Sequence, residues 1–116
     1  MNDADTTVHQ LRQAVQTFVD ERAWRPFHDP KNLAMSIAIE SAELMEHFQW
    51  LRSEELAALR SDAAQMEQIR EELSDILCYA LSFANAMEID VAAALADKLV
   101  KNARKYPAEK FRGRFR

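Results

Sequence analysis

The stretch from Asp29 to Leu51, DPKNLAMSIAIESAELMEHFQWL, decides the architecture. It opens on Asp29-Pro30, an N-cap residue followed by a proline at the first helical position. Beyond it Leu33, Ile37, Leu44, Phe48 and Leu51 fall on one stripe at about 100° per residue, which predicts a helix to about Leu51. Glu40 projects into the middle of that stripe, and Glu43 lies one turn on, roughly 60° to the side. A carboxylate in an apolar stripe is costly to bury unless it is paired or bound to a cation. An ordinary amphipathic helix would carry Ala or Leu at position 40.

Working outward, the same periodicity predicts three further helices. The first runs from about Thr6 to Ala23, with Leu11, Val15, Phe18 and Val19 as its apolar face. Trp24 to Asp29 reads as a loop around Pro26. After Leu51, Ser53 is positioned to cap a short helical piece through Leu59. Ser61 or Asp62 then caps a long helix to about Met87, with Met66, Ile69, Leu73, Ile76, Leu77, Ala80 and Ala84 as its core stripe. Asp90 caps the last helix, which ends at about Lys105 because Tyr106 precedes Pro107. No stretch shows strand alternation. The expected fold class is all-α, a four-helix bundle in one domain over residues 1–116, with a core over about 6–107 and a basic tail over 108–116.

The long third helix repeats the arrangement of the second. Glu72, Asp75 and Tyr79 follow one another along its flank, and residues three or four apart are neighbours on a helix surface. Each helix thus offers a carboxylate pair, and side-by-side packing would bring the pairs together. Four converging carboxylates do not all stay ionised without a cation. Oxygen-only ligands point to a hard metal, Mg²⁺ or Mn²⁺, rather than zinc. Glu46 and Glu71 read as solvated charges. From periodicity alone, a metal site and a salt-bridged helical bundle both stay open.

Composition narrows the classes. The 116 residues are 48% hydrophobic and 29% charged, with one Gly and three Pro, a soluble and strongly helical balance. The net charge of -4 is a poor match for a nucleic-acid polymer. The charge is uneven: from Lys98 to Arg116 the chain carries Lys98, Lys101, Arg104, Lys105, Lys110, Arg112, Arg114 and Arg116 against Glu109 alone. An acidic middle and a basic end suit an anionic ligand held through a metal. The start lacks a basic region followed by an apolar one, and no apolar run approaches the ~20 residues of a membrane span, so a cytoplasmic location is expected. Cys78 lies in the apolar run Ile76-Leu77-Cys78-Tyr79 and is expected to be a buried, inert thiol. A di-iron carboxylate bundle would need Glu-x-x-His pairs, and His47 stands four residues after Glu43.

At these residues the sequence resembles the MazG-like all-α nucleoside triphosphate pyrophosphohydrolases, with nearer similarity to their dCTP pyrophosphatase branch. The similarity covers roughly Leu11 to Pro107. It rests on Glu21-Arg22-Ala23-Trp24, the run from Phe27 to Leu33, the run from Glu40 to Glu46, and Phe48-Gln49-Trp50. The run from Glu72 to Tyr79, then Lys98 through Asn102 to Lys105-Tyr106-Pro107, complete it. The resemblance implies Mg²⁺-dependent hydrolysis of (deoxy)nucleoside triphosphates to monophosphate and pyrophosphate, in nucleotide-pool sanitation. It implies that Glu40, Glu43, Glu72 and Asp75 hold the metal, in a homo-oligomer (dimer or tetramer) whose sites draw on more than one subunit. Glu43, at the edge of the stripe, is the choice for general base. Lys98, Asn102 and Lys105 share one side of the last helix and are candidates for phosphate contact. Trp24, His28, Trp50 and Tyr79 are candidates for the base. The dCTP-specific branch carries a base-pocket histidine in the first helix where this chain has Val15. That departure leaves dUTP, modified deoxynucleotides and broad nucleotide use open beside dCTP. The competing class is a non-enzymatic helical interaction protein.

Overall fold

The structure, a computed structural model, describes residues 1–114. Among them are six α-helices and no strand: α1 Val8–Glu21, α2 Pro30–Glu46, α3 Leu56–Leu59, α4 Ala63–Met87, α5 Val91–Lys105 and α6 Ala108–Phe111. Arg116, counted above in the basic end, lies outside the described residues.

Side-chain caps start the long helices where local chemistry places them. Thr7 accepts from the Gln10 N–H at 3.1 Å while the Gln10 side chain accepts from the Thr7 N–H, a capping box. Asp29, Asp62 and Asp90 each accept from the N–H three residues on, at 2.8, 3.1 and 2.9 Å. Asp62 rather than Ser61 is therefore the cap of α4. Ser53 caps nothing: it opens a 3₁₀ turn, Ser53–Glu55, that leads into α3. The expected loop after α1 contains a second 3₁₀ turn, Arg25–Phe27.

Helix α2 stops five residues before the expected Leu51. His47, Phe48 and Leu51 donate to Leu44, Met45 and Phe48, each a bond to the carbonyl three residues back. The winding tightens there instead of continuing as α-helix. At the far end of α4 the chain turns through Glu88 in the left-handed region, φ 55°, and the Ile89 N–H closes on the Ala84 carbonyl at 2.9 Å. The turn sends α5 away at 101° to α4.

Packing centres on α4. Helices α2 and α1 make the extensive contacts with it, and α5 makes none on that scale. Val19 of α1, Leu33 of α2, and Ser82 and Ala84 of α4 are buried at these contacts. Arg12 and Asn85 tie α1 to α4 reciprocally. The Arg12 Nε donates to the Asn85 side-chain oxygen at 2.9 Å, and the Asn85 amide donates to the Arg12 carbonyl at 3.2 Å. The remaining apolar stripes lie open: Leu73 and Leu77 on α4 are 49% and 52% exposed, and Leu95 and Leu99 on α5 are both 58% exposed. The expected core stripe of α4 is thus only partly covered within one chain. No single helix is long and apolar enough to cross a membrane.

The left-handed turn at Glu88 gives a stability prediction. A side chain there costs about 1–2 kcal/mol, partly offset by the greater freedom that glycine gives the unfolded chain. Glu88→Gly should raise stability by roughly 0.5–1 kcal/mol in urea titration. Loss of stability would mean that this turn is not formed.

Candidate active site

Helices α2 and α4 pack along one another, and the acidic residues meet at their interface. Glu40, Glu43 and Glu72 each bring a carboxylate oxygen within 4.8 Å of the other two. Glu40 and Glu72 are half-buried and Glu43 is exposed. The Glu40 Oε2 atom is buried and has no hydrogen-bond partner. A buried carboxylate oxygen without a donor calls for a cation or a proton. Burial, then the nearness of Glu43, Asp75 and Glu72, pushes the Glu40 carboxyl up to about 7. Burial and Glu43 also raise Glu72, against the opposing pull of His47. The donor set is all oxygen, and it fits a hard divalent cation.

Asp75 stands one turn beyond Glu72, outside the group of three, yet near enough for its charge to act on Glu40. It links the carboxylates to a cavity of about 380 Å³ between α1, the loop after it and α4. Val15 and Phe18 line this cavity from α1, Trp24 and His28 from the loop, and Asp75, Cys78 and Tyr79 from α4. The His28 ring sits between two aromatic rings, with centroids 6.2 Å from both Trp24 and Tyr79. Phe18 meets Trp24 edge-on at 5.8 Å. Such a surface suits a flat heterocycle. Burial, then the charges of Glu40 and Asp75, raises the Tyr79 phenol.

The candidate residues are not all gathered in one place. Trp24, His28 and Tyr79 line one cavity, whereas Trp50 lies in the turn after α2 and is 85% exposed. Lys98, Asn102 and Lys105 stand on α5, and none of them lines a cavity that holds a candidate carboxylate or aromatic residue. Cys78 corrects the expectation of a buried thiol: it is exposed, because its side of α4 faces the cavity. Partial desolvation against the cavity wall, then the nearby Asp75, push its thiol up, away from the reactive thiolate.

His47 was not among the candidates. Its Nε2 lies 3.7 Å from a Glu72 oxygen, and its Nδ1 is 3.0 Å from the Gln65 side-chain nitrogen. With the amide donating, Nδ1 accepts and the ring proton faces Glu72. The spacing held the signal, since Glu43 and His47 are four apart on one helix face. Val15 lies in the cavity wall.

Known proteins match the chain along most of its length. Residues 35–114 match the model of the MazG-like family. dCTP pyrophosphatase 1 of Bos taurus is 34% identical over 110 residues, covering 95% of this chain and 65% of that protein. Its Homo sapiens counterpart is 34% identical over 104 residues, covering 90% and 61%. The chain therefore spans just under two thirds of the length of these curated relatives. A pyrophosphatase from Archaeoglobus fulgidus has a similar crystal structure, with a TM-score of 0.79 and 39% identity over 92% of this chain and 98% of that one. With the family match extending over more than half its length, the chain belongs to the MazG-like family.

Proposed function

We propose that the chain hydrolyses (deoxy)nucleoside triphosphates to nucleoside monophosphate and pyrophosphate, with Mg²⁺ (or Mn²⁺) held by Glu40, Glu43, Glu72 and Asp75. The observation that carries this reading is the meeting of three carboxylates from two helices around a buried, unpartnered Glu40 oxygen, beside an aromatic cavity. The relatives named as dCTP pyrophosphatases, and the Archaeoglobus pyrophosphatase, support the reaction class. When bound, the metal supplies charge neutralisation and polarisation of the phosphoryl oxygens. Glu43 is the most exposed of the three clustered carboxylates and is the choice to take the proton of the attacking water. Water adds across the α–β anhydride, one product keeps the nucleoside and the other leaves as pyrophosphate. Trp24, His28 and Tyr79 hold the base, and Trp50, exposed in the turn after α2, is the further candidate for it. Val15 in the cavity wall leaves dCTP, dUTP and modified deoxynucleotides as the substrates to compare.

The surface supports a homo-oligomer. The chain exposes 9431 Å², nearly half as much again as the about 6,500 Å² expected of a folded monomer of this mass. Its radius of gyration is 17.3 Å, against about 13.4 Å for a compact domain of this length. Leu73 and Leu77 on α4 and Leu95 and Leu99 on α5 are the apolar surface to be covered. In this reading a second copy completes a four-helix bundle and brings Lys98, Asn102 and Lys105 to the phosphates. Leu99→Asp should shift the protein toward monomer in sedimentation and lower activity with it. An unchanged sedimentation coefficient would remove α5 from the interface.

The activity is tested by incubating purified protein and Mg²⁺ with a nucleotide panel and following products by ³¹P NMR. Monophosphate and pyrophosphate are expected, and Glu40→Gln and Asp75→Asn should each slow the reaction by about 100-fold. Orthophosphate with diphosphate as products would contradict the reaction, and unchanged rates in both variants would contradict the site.

The raised Glu40 carboxyl adds a pH test. Between the ordinary value of 4.5 and about 7, the folded state keeps a proton that the unfolded chain has lost. Stability without metal therefore falls as pH rises through that window. In chelator, Tm should drop between pH 5 and 7.5, and added Mg²⁺ should raise it more at pH 7.5 than at pH 5. Glu40→Gln should flatten both trends. A Mg²⁺ effect independent of pH would contradict the placement of the cation at Glu40.

A further inference from the structure

Ser82 is 8% exposed, and its hydroxyl makes no hydrogen bond among the described residues. That is unusual for a serine inside a helix. Ser41 and Ser74 return their hydroxyls to the carbonyl four residues back, both at 2.7 Å. Ser82 instead lines the aromatic cavity, together with His28, whose Nδ1 is buried without a partner. Both residues line a second cavity as well, of about 180 Å³, with Gln16, Arg25 and Asn85 around it. The aromatic slot thus has an apolar mouth at Val15 and Phe18 and a polar inner edge at Ser82 and His28.

The spacing places this edge relative to the carboxylates. Asp75, Tyr79 and Ser82 stand at i, i+4 and i+7 on α4, one face of the helix. At about 1.5 Å per residue, Ser82 lies roughly 10 Å along the axis from Asp75. A nucleotide with its phosphates at Asp75 and its base against Tyr79 would present the far edge of that base to Ser82. A buried polar atom left without a partner, as at His28 Nδ1, penalises any ligand that fails to satisfy it, and the Ser82 hydroxyl beside it has no protein partner to give up.

We propose that Ser82, with His28, reads the hydrogen-bonding edge of the base and sets which nucleotide this chain prefers. The role rests on the pyrophosphohydrolase reading above. The hydroxyl both donates and accepts, so it selects for a base with a polar group at that edge rather than for an apolar one.

The test measures kcat and KM for dCTP, dUTP, dTTP, dATP and dGTP with Mg²⁺, in the wild type, Ser82→Ala and Ser82→Thr. Binding of the α,β-imido analogue of the favoured nucleotide is followed by tryptophan fluorescence. In Ser82→Ala, kcat/KM for the favoured nucleotide should fall about tenfold, carried mainly by KM, and the least favoured should change by less than about twofold. Analogue affinity should fall in parallel, Ser82→Thr should recover most of the loss, and the Mg²⁺ thermal shift should stay as in the wild type. The role is overturned if Ser82→Ala keeps the wild-type ratio between favoured and least favoured nucleotides, or if the wild type turns over all five alike. A wild type that releases pyrophosphate from none of them removes the activity itself, and this role with it.

Discussion

The burial of one carboxylate between two helices organises the rest of this molecule. Glu40 occupies a position on α2 that a purely structural helix would fill with an apolar side chain, and one of its oxygens is sealed from water with no donor to meet it. Left alone, that carboxyl is pushed up to about 7 by its burial and its acidic neighbours. Glu43 stands one turn away on α2, the packing of α2 on α4 adds Glu72, and each added charge makes the metal-free arrangement less favourable. In the proposed reading a divalent cation reverses the sign of the local field and turns the same residues from a cost into a ligand set. The fold places this electrostatic frustration at its main helix–helix contact.

The surroundings are arranged around that contact. Helix α4 carries the Glu72–Asp75–Tyr79–Ser82 side of the site along three turns, so one rigid element sets the distance from carboxylates to aromatic slot. Helix α1 supplies the opposite wall, and the Arg12–Asn85 pair fixes it to α4 near the polar end of the slot. Helix α5 turns away after Glu88 and leaves its leucines uncovered. Such open apolar stripes, on a chain with so much surface for its mass, are what the proposed homo-oligomer would cover. In that proposal the basic residues of α5 belong to the assembled site more than to the single chain.

Much of this was legible in the sequence, and the limits were physical. The starts at Asp29 and Asp90 were readable because capping is local, each lying within three residues of the N–H it satisfies, and Asp62 was one of two candidates for α4; α1 starts at Val8 behind the Thr7 cap, later than the expected Thr6. The end of α2 was not, because the tightening through His47 to Leu51 changes the register of hydrogen bonds without any Gly or Pro to mark it. The displaced Glu40 showed in the periodicity, and the aromatic candidates Trp24, His28 and Tyr79 fell together on one cavity. The exposure of Cys78, Leu73 and Leu77 was hidden, since periodicity shows which residues share a face and not whether anything covers it. His47 and Ser82 went unnoticed for a related reason: a histidine and a serine on helices are ordinary until their partners, or lack of them, are seen in three dimensions.

The central claim is that a divalent cation sits among the carboxylates of α2 and α4. Anomalous diffraction from crystals grown with Mn²⁺ tests it most directly. A peak about 2.0–2.3 Å from oxygens of Glu40, Glu43 and Glu72 is the predicted result. Clear density for these side chains with no anomalous peak among them, at Mn²⁺ concentrations that support catalysis, would contradict it.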